Sequence, residues 1–277
     1  MRAAVDGDIL IEANQMPKEY FKDLIRYREL FFFLAWRDIL VRYKQAAFGI
    51  AWAVIRPLLN MAVFSFIFGK IAHLSSNDVP YPLFVLAGML PWQLVSGVLF
   101  DTCSSLVGNV HLITKVYFPR IILSTSQILV HLVDFGINLA LLFIFMLFMG
   151  SGSLATIWSL PLCLLLALVL CVGSSLWLSA LTVQYRDFRF IVTFIMQFGM
   201  FISPVGYGTY IITGAWKWLY FMNPMVGIID AFRWSLFGIE QPDILWSIAF
   251  SLVISSLILV TGIRYFRKTE RSFADRI

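Results

Sequence analysis

Six long apolar runs, 47 to 69, 83 to 107, 121 to 149, 157 to 183, 190 to 212 and 244 to 263, alternate with short polar segments along the chain. A helix needs about 20 residues to cross some 30 Å of hydrocarbon, so each run predicts a membrane-spanning helix. The fifth run is interrupted. FISPVGYGTY places Pro204, Gly206 and Gly208 where a regular helix should continue. Broken backbone at membrane depth is tolerated only against protein or water. That span is therefore expected to end early, with two short re-entrant or interfacial helices in residues 205 to 240 and a turn at Met222 to Pro224. Trp216, Trp218, Tyr220, Phe221 and Trp234 give this segment the aromatic character of a membrane interface.

A different pattern precedes the first run. On a helical wheel of residues 32 to 47, Phe32, Trp36, Ile39, Leu40, Tyr43 and Ala47 share one arc, and Arg37, Asp38, Arg42, Lys44 and Gln45 lie opposite. Such a helix is expected to lie in the headgroup plane with its cations towards anionic lipid phosphates.

Composition fixes the class. Of 277 residues, 60% are hydrophobic and 13% charged, about half the charge of a soluble domain. The chain reads as an all-α polytopic membrane protein: six spans, an N-terminal amphipathic interfacial helix, and short re-entrant helices before the last span. Of the Lys and Arg residues, eight precede the first run, then one, two, none, two and two fall in successive loops, and five follow the last. With both termini cytoplasmic, seventeen lie inside and three outside, which the positive-inside rule favours. The net charge of +5 thus points to acidic lipid rather than nucleic acid. Residues 1 to 30 lack the apolar core of a cleavable signal, so the first span is expected to direct insertion.

Catalytic chemistry finds little support. Neither a G-x-x-x-x-G-K-[ST] loop nor an H-E-x-x-H helix occurs. His73, His111 and His131 are scattered, and Cys103, Cys163 and Cys171 sit inside apolar runs without metal-type spacing. No metal or cofactor site is expected in the chain. Arg56, Asp101, Asp134, Asp230 and Arg233 are costly at membrane depth and should face protein or water. For Arg56, beside Pro57, pore lining and a structural ion pair are equally open. Asp134, a turn after His131, suits helix packing better than a proton relay. Asp230 and Arg233, spaced i,i+3, are expected to pair with each other.

Two predicted inner loops, NVHLITKVYFPR (109 to 120) and QYRDFR (184 to 189), are compact and charged, as docking loops or as ordinary positive-inside loops. Together with RDILVRYKQAAFGIAWAVIRPL, YRDF, SPV and NPMVGIIDAFRWSLFG, they occur in the order seen in permeases of type-2 ABC exporters for polysaccharides such as O-antigen, capsule and teichoic acid. The chain resembles that family over residues 20 to 267. It departs from the usual pattern at Phe48 and Gly49, where Leu-Gly is common, and at Gly206, where a bulkier residue follows SPV.

The resemblance implies residues 1 to 46 as a cytoplasmic N-terminus with a gate helix, 47 to 263 as the transmembrane domain and 264 to 277 as a cytoplasmic tail. It implies a homodimer in the bacterial inner membrane, bound to two ABC nucleotide-binding subunits that hold ATP and Mg and drive a lipid-linked glycan outward. Arg37, Arg42 and Lys44 would receive an undecaprenyl pyrophosphate, as permanent forked or point charges suit phosphate. His111, Lys115, Phe118 and Arg120, with Arg186 and Asp187, would couple to the ATPase. Arg56, Trp216, Trp218 and Tyr220 would lie in the channel or outer gate. The competing readings are a type-2 exporter of a drug or another lipid, a polytopic glycosyltransferase, and a passive channel or scaffold.

Overall fold

The computed structural model describes residues 24–44, 51–116, 118–153, 155–239, 241, 243–270 and 273, with no β-strand among them. Residues 45 to 50, which carry Phe48, Gly49 and the start of the first predicted span, lie outside the described residues, as do residues 1 to 23 and the end of the tail.

Helix α1 is Arg28–Lys44. Helix α2, Ala51–Phe64, continues as a π-helix over Ser65–Ile71, and the two form one 21-residue apolar element. Pro57 sits inside α2, where the membrane environment tolerates a missing N–H that neighbouring groups can offset. Helix α3, Tyr81–Gly108, is the hub: 18 of its 28 residues are buried, and it packs against the helices that follow. Short α4, Val110–Lys115, leads into α5, Ile121–Met149, which stops at Gly150 in the left-handed conformation (φ 61°). Helix α6, Leu160–Gln184, is followed by α7, Phe188–Ile202. Two short helices, α8 (Trp216–Phe221) and α9 (Pro224–Phe237), precede α10, Ile244–Thr269.

Five of these elements are long and apolar enough to span a membrane. The run 190 to 212 is the exception. Its helix ends at Ile202 after 15 residues, about 22 Å, short of the hydrocarbon thickness. Ser203 takes an extended conformation, and Pro204 cannot donate to a continuing ladder. Beyond it, α9 begins where expected. Asn223 caps it by accepting from the Met225 N–H at 3.0 Å, and Pro224 occupies the first turn.

Two hydrophobic cores result. The larger fills the span layer around α3, with Leu86, Leu90, Phe232 and Leu170. A smaller one lies at the end of the spans nearest α1, where Leu34 joins Phe118, Ile122, Leu176, Phe266 and Phe273. The buried face of α1 is thus Leu34 and Ala35, while Phe32, Phe33 and Trp36 are more than half exposed. The helix is seated by its own protein on one side and presents aromatics on another.

Candidate functional site

At the C-terminal turn of α1, Arg42 turns towards the spans rather than away from them. Its Nη1 donates to Asp134 Oδ2 of α5 at 2.5 Å, and its Nη2 donates to the Asp101 carboxylate of α3. Tyr43, next along, donates its hydroxyl to the other oxygen of Asp134. Burial, together with the Asp134 acceptor, pushes the Tyr43 phenol above its ordinary range, so it remains a donor. His131 closes the cluster with Nε2 2.8 Å from Asp101 Oδ2. A carboxylate only accepts, so that nitrogen carries the proton. The ring fits because Gly97 of α3 has no side chain; a Cβ there would lie 2.5 Å from the imidazole. The wheel set Arg42 on the polar arc and aimed it at headgroup phosphates, whereas the structure turns it onto carboxylates of α3 and α5. The correction has an electrostatic cause: two intramembrane carboxylates without a cation in their own spans outbid a solvated surface.

Arg42, Tyr43, Asp101, His131 and Asp134 line one end of a cavity of about 670 Å³ between α2, α3 and α5. Arg56 and Asn60 of α2, Gln93 of α3 and Asn138 of α5 line the rest. Arg56 is exposed, with its guanidinium 5.8 Å over the Trp52 ring. Of the other α1 cations singled out in the sequence, Arg37 pairs with Asp38 at 2.7 Å and donates to Asn109 at 3.3 Å, whereas Lys44 is exposed. Gln127 of α5 donates to Asp38 at 2.9 Å, a second tie between α1 and the spans.

The predicted coupling residues divide. His111 and Lys115 are exposed on α4, and Arg186 and Asp187 are exposed in the turn between α6 and α7. Phe118, in contrast, is 4% exposed and packs into the smaller core, so its face is spent inside the chain. Arg120 is half-buried: its backbone N–H donates to Glu270 Oε1 at 3.0 Å, its guanidinium donates to the Glu270 carbonyl, and it lies over the Phe273 ring.

In the outer segment, Trp218 packs against Phe221, Trp246 and Phe250, and Tyr220 donates to the Tyr207 hydroxyl at 3.0 Å, while Trp216 is 73% exposed. Asp230 and Arg233 do not pair, and no ion pair joins them among the described residues. Arg233, fully buried, donates to the backbone carbonyls of Val205 (2.7 Å), Tyr207 (2.9 Å) and Phe84 (3.4 Å), and its guanidinium stacks 3.6 Å from the Phe84 ring centre. Gly88 of α3 leaves room for it. Asp230 accepts from Thr209 at 2.7 Å and from Gln241 at 3.4 Å. The carbonyls freed by the broken fifth run drew Arg233 away from the residue three positions before it.

Helical spans around a polar cavity, with a charged interfacial helix clasped at one end, define a multi-pass membrane transporter component. The model of the family described as ABC-2 type transporter matches residues 29–237, and the chain belongs to that family. The O-antigen export system permease protein RfbA of Myxococcus xanthus is 26% identical over 258 residues, 92% of this chain and 98% of that protein. RfbA of Klebsiella pneumoniae, also an O-antigen export system permease protein, is 25% identical over 224 residues, 79% and 83% of the two chains. Membership implies an ABC nucleotide-binding subunit as partner.

Proposed function

We propose that this chain is the permease subunit of an ATP-driven exporter that carries an undecaprenyl-pyrophosphate-linked polysaccharide, O-antigen or a similar polymer, across the bacterial inner membrane. Two copies would assemble with two nucleotide-binding subunits, which would bind and hydrolyse ATP with Mg. The observation that carries the reading is a basic interfacial helix fastened at the end of a polar cavity in the span layer, in a chain that aligns nearly end to end with an O-antigen permease. Seventeen inner against three outer Lys and Arg support cytoplasmic termini.

In this reading, Lys44 and Arg37 meet the lipid pyrophosphate at the membrane surface, and Arg42 holds the helix that carries them. Exposed His111 and Lys115 face the ATPase, with Arg186 and Asp187 as a second contact. Phe118 and Arg120 act behind them by joining α4 to α1 and to the end of α10. The test is deletion with complementation: loss of surface polymer, with lipid-linked glycan accumulating inside and full recovery on re-expression. Normal surface polymer in the deletion strain, with retention of a different amphiphile, would move the chain to another cargo.

A further inference from the structure

The cavity holds two arginines in opposite electrostatic states. Arg42 has both terminal nitrogens on carboxylates, so its charge is committed inside the chain. Arg56 lines the same cavity with no carboxylate at ion-pair distance among the described residues; its guanidinium faces the Trp52 ring. A guanidinium at membrane depth without a counter-charge is costly and is retained where water and an anion reach it.

What surrounds Arg56 narrows the anion. Trp52, Arg56 and Asn60 fall at i, i+4 and i+8 on α2, and all three line the cavity. The other wall offers two neutral amides. Asn138 Nδ2 donates to Gln93 Oε1 at 3.1 Å, and the remaining amide atom of Asn138, a residue 5% exposed, has no hydrogen-bond partner. Whichever way that amide is turned, one of its polar atoms is left over. A buried polar group without a partner is unusual enough to require one. One forked cation, one indole face and three amides suit a phosphorylated sugar. The fork takes phosphate oxygens, the amides take hydroxyls as both donors and acceptors, and the ring covers the C–H face.

We propose that Arg56, Trp52, Asn60, Gln93 and Asn138 form a seat for the sugar-phosphate head of a polyprenyl-pyrophosphate-linked glycan, with Arg56 on phosphate and the amides on the first sugar. The seat rests on the cargo assigned under the proposed function and goes beyond it by adding a phosphate and sugar site inside the cavity, behind the first contact of Arg37 and Lys44 at the membrane surface.

The experiment uses the full chain in nanodiscs of phosphatidylethanolamine and phosphatidylglycerol. Two probes are compared, a labelled polyprenyl pyrophosphate and the same lipid bearing one N-acetylglucosamine. The wild type should bind the sugar-bearing lipid about tenfold more tightly than the bare one, the scale of one or two hydrogen bonds. Arg56→Gln should weaken both probes by tenfold or more, with Arg56→Lys intermediate because it keeps the charge and loses the fork. Asn138→Leu should weaken only the sugar-bearing probe and erase the preference. Equal wild-type affinity for the two lipids overturns the sugar contacts, as does Asn138→Leu weakening both alike. Tight wild-type binding that Arg56→Gln leaves intact, or that Arg42→Gln alone removes, overturns the seat while sparing the cargo. A wild type that binds neither lipid overturns cargo and seat together.

Discussion

Two arginines, one at each end of the molecule, are taken out of lipid by opposite means. Arg233 is completely buried, and its partners are the carbonyls of Phe84, Val205 and Tyr207. Arg42 keeps about a third of its side chain exposed to the cavity, and its partners are the carboxylates of Asp101 and Asp134. Backbone carbonyls are fixed by the fold, so Arg233 works as a permanent brace that satisfies the broken Ser203–Gly208 segment. Carboxylates are mobile groups facing water, and a cation held by them can change partners. The contrast separates a scaffold end from an end able to move.

The largest effect should come from the brace. Arg233→Leu strands three buried carbonyls, a loss of roughly 4 kcal/mol or more, read as collapse of inserted yield and of melting temperature in detergent. Asp230→Asn should not restore it, because Asp230 belongs to Thr209 and Gln241; rescue would show that the two do act as a pair. Next, Phe118→Ala should cost about 3 kcal/mol by emptying part of the smaller core, whereas exposed Lys115→Ala should leave melting unchanged and lower ATP-coupled export. Equal melting of the two variants would place Phe118 at the partner instead.

A smaller loss is expected at the clasp. Removing one partner of a buried ion pair costs 3 to 5 kcal/mol, and partial exposure reduces this to about 2 for Arg42→Ala. Here the neutral triple Arg42→Gln, Asp101→Asn, Asp134→Asn should recover most of the stability, since it removes the stranded charges. Export should stay impaired. A triple no more stable than the single would make Arg42 a second brace. Least of all, Trp216→Ala should shift melting by under about 0.5 kcal/mol, given its exposure.

The sequence disclosed these regions unevenly. The break in the fifth run was legible because Pro204 and Gly206 act locally, and so was the cap at Asn223 with Pro224 behind it. Asp101 and Asp134 were visible as carboxylates in need of partners, yet nothing local named Arg42, which lies 59 and 92 residues away in sequence. The wheel of residues 32 to 47 gave an apolar arc but not the seat of the helix on its own chain, because Leu34 and Ala35, flanked by larger aromatics, are chosen by the shape of the smaller core. The pairing of Asp230 with Arg233 failed for a related reason. Helical spacing shows who is near on one helix, and the carbonyls that claimed Arg233 come from α3 and the irregular segment.

The bond between Arg120 and Glu270 spans 150 residues, and this sets an order of events during synthesis. At 5 to 20 residues per second, α4 and its flanking loop leave the ribosome roughly 8 to 30 s before the residues that fasten them. Through that interval Phe118 lacks Phe266 and Phe273, so the smaller core stays open until the end of α10 has been made. The seating of α4 is therefore completed only when the end of α10 has been made, and a truncation ahead of Phe266 would leave Phe118 without that support.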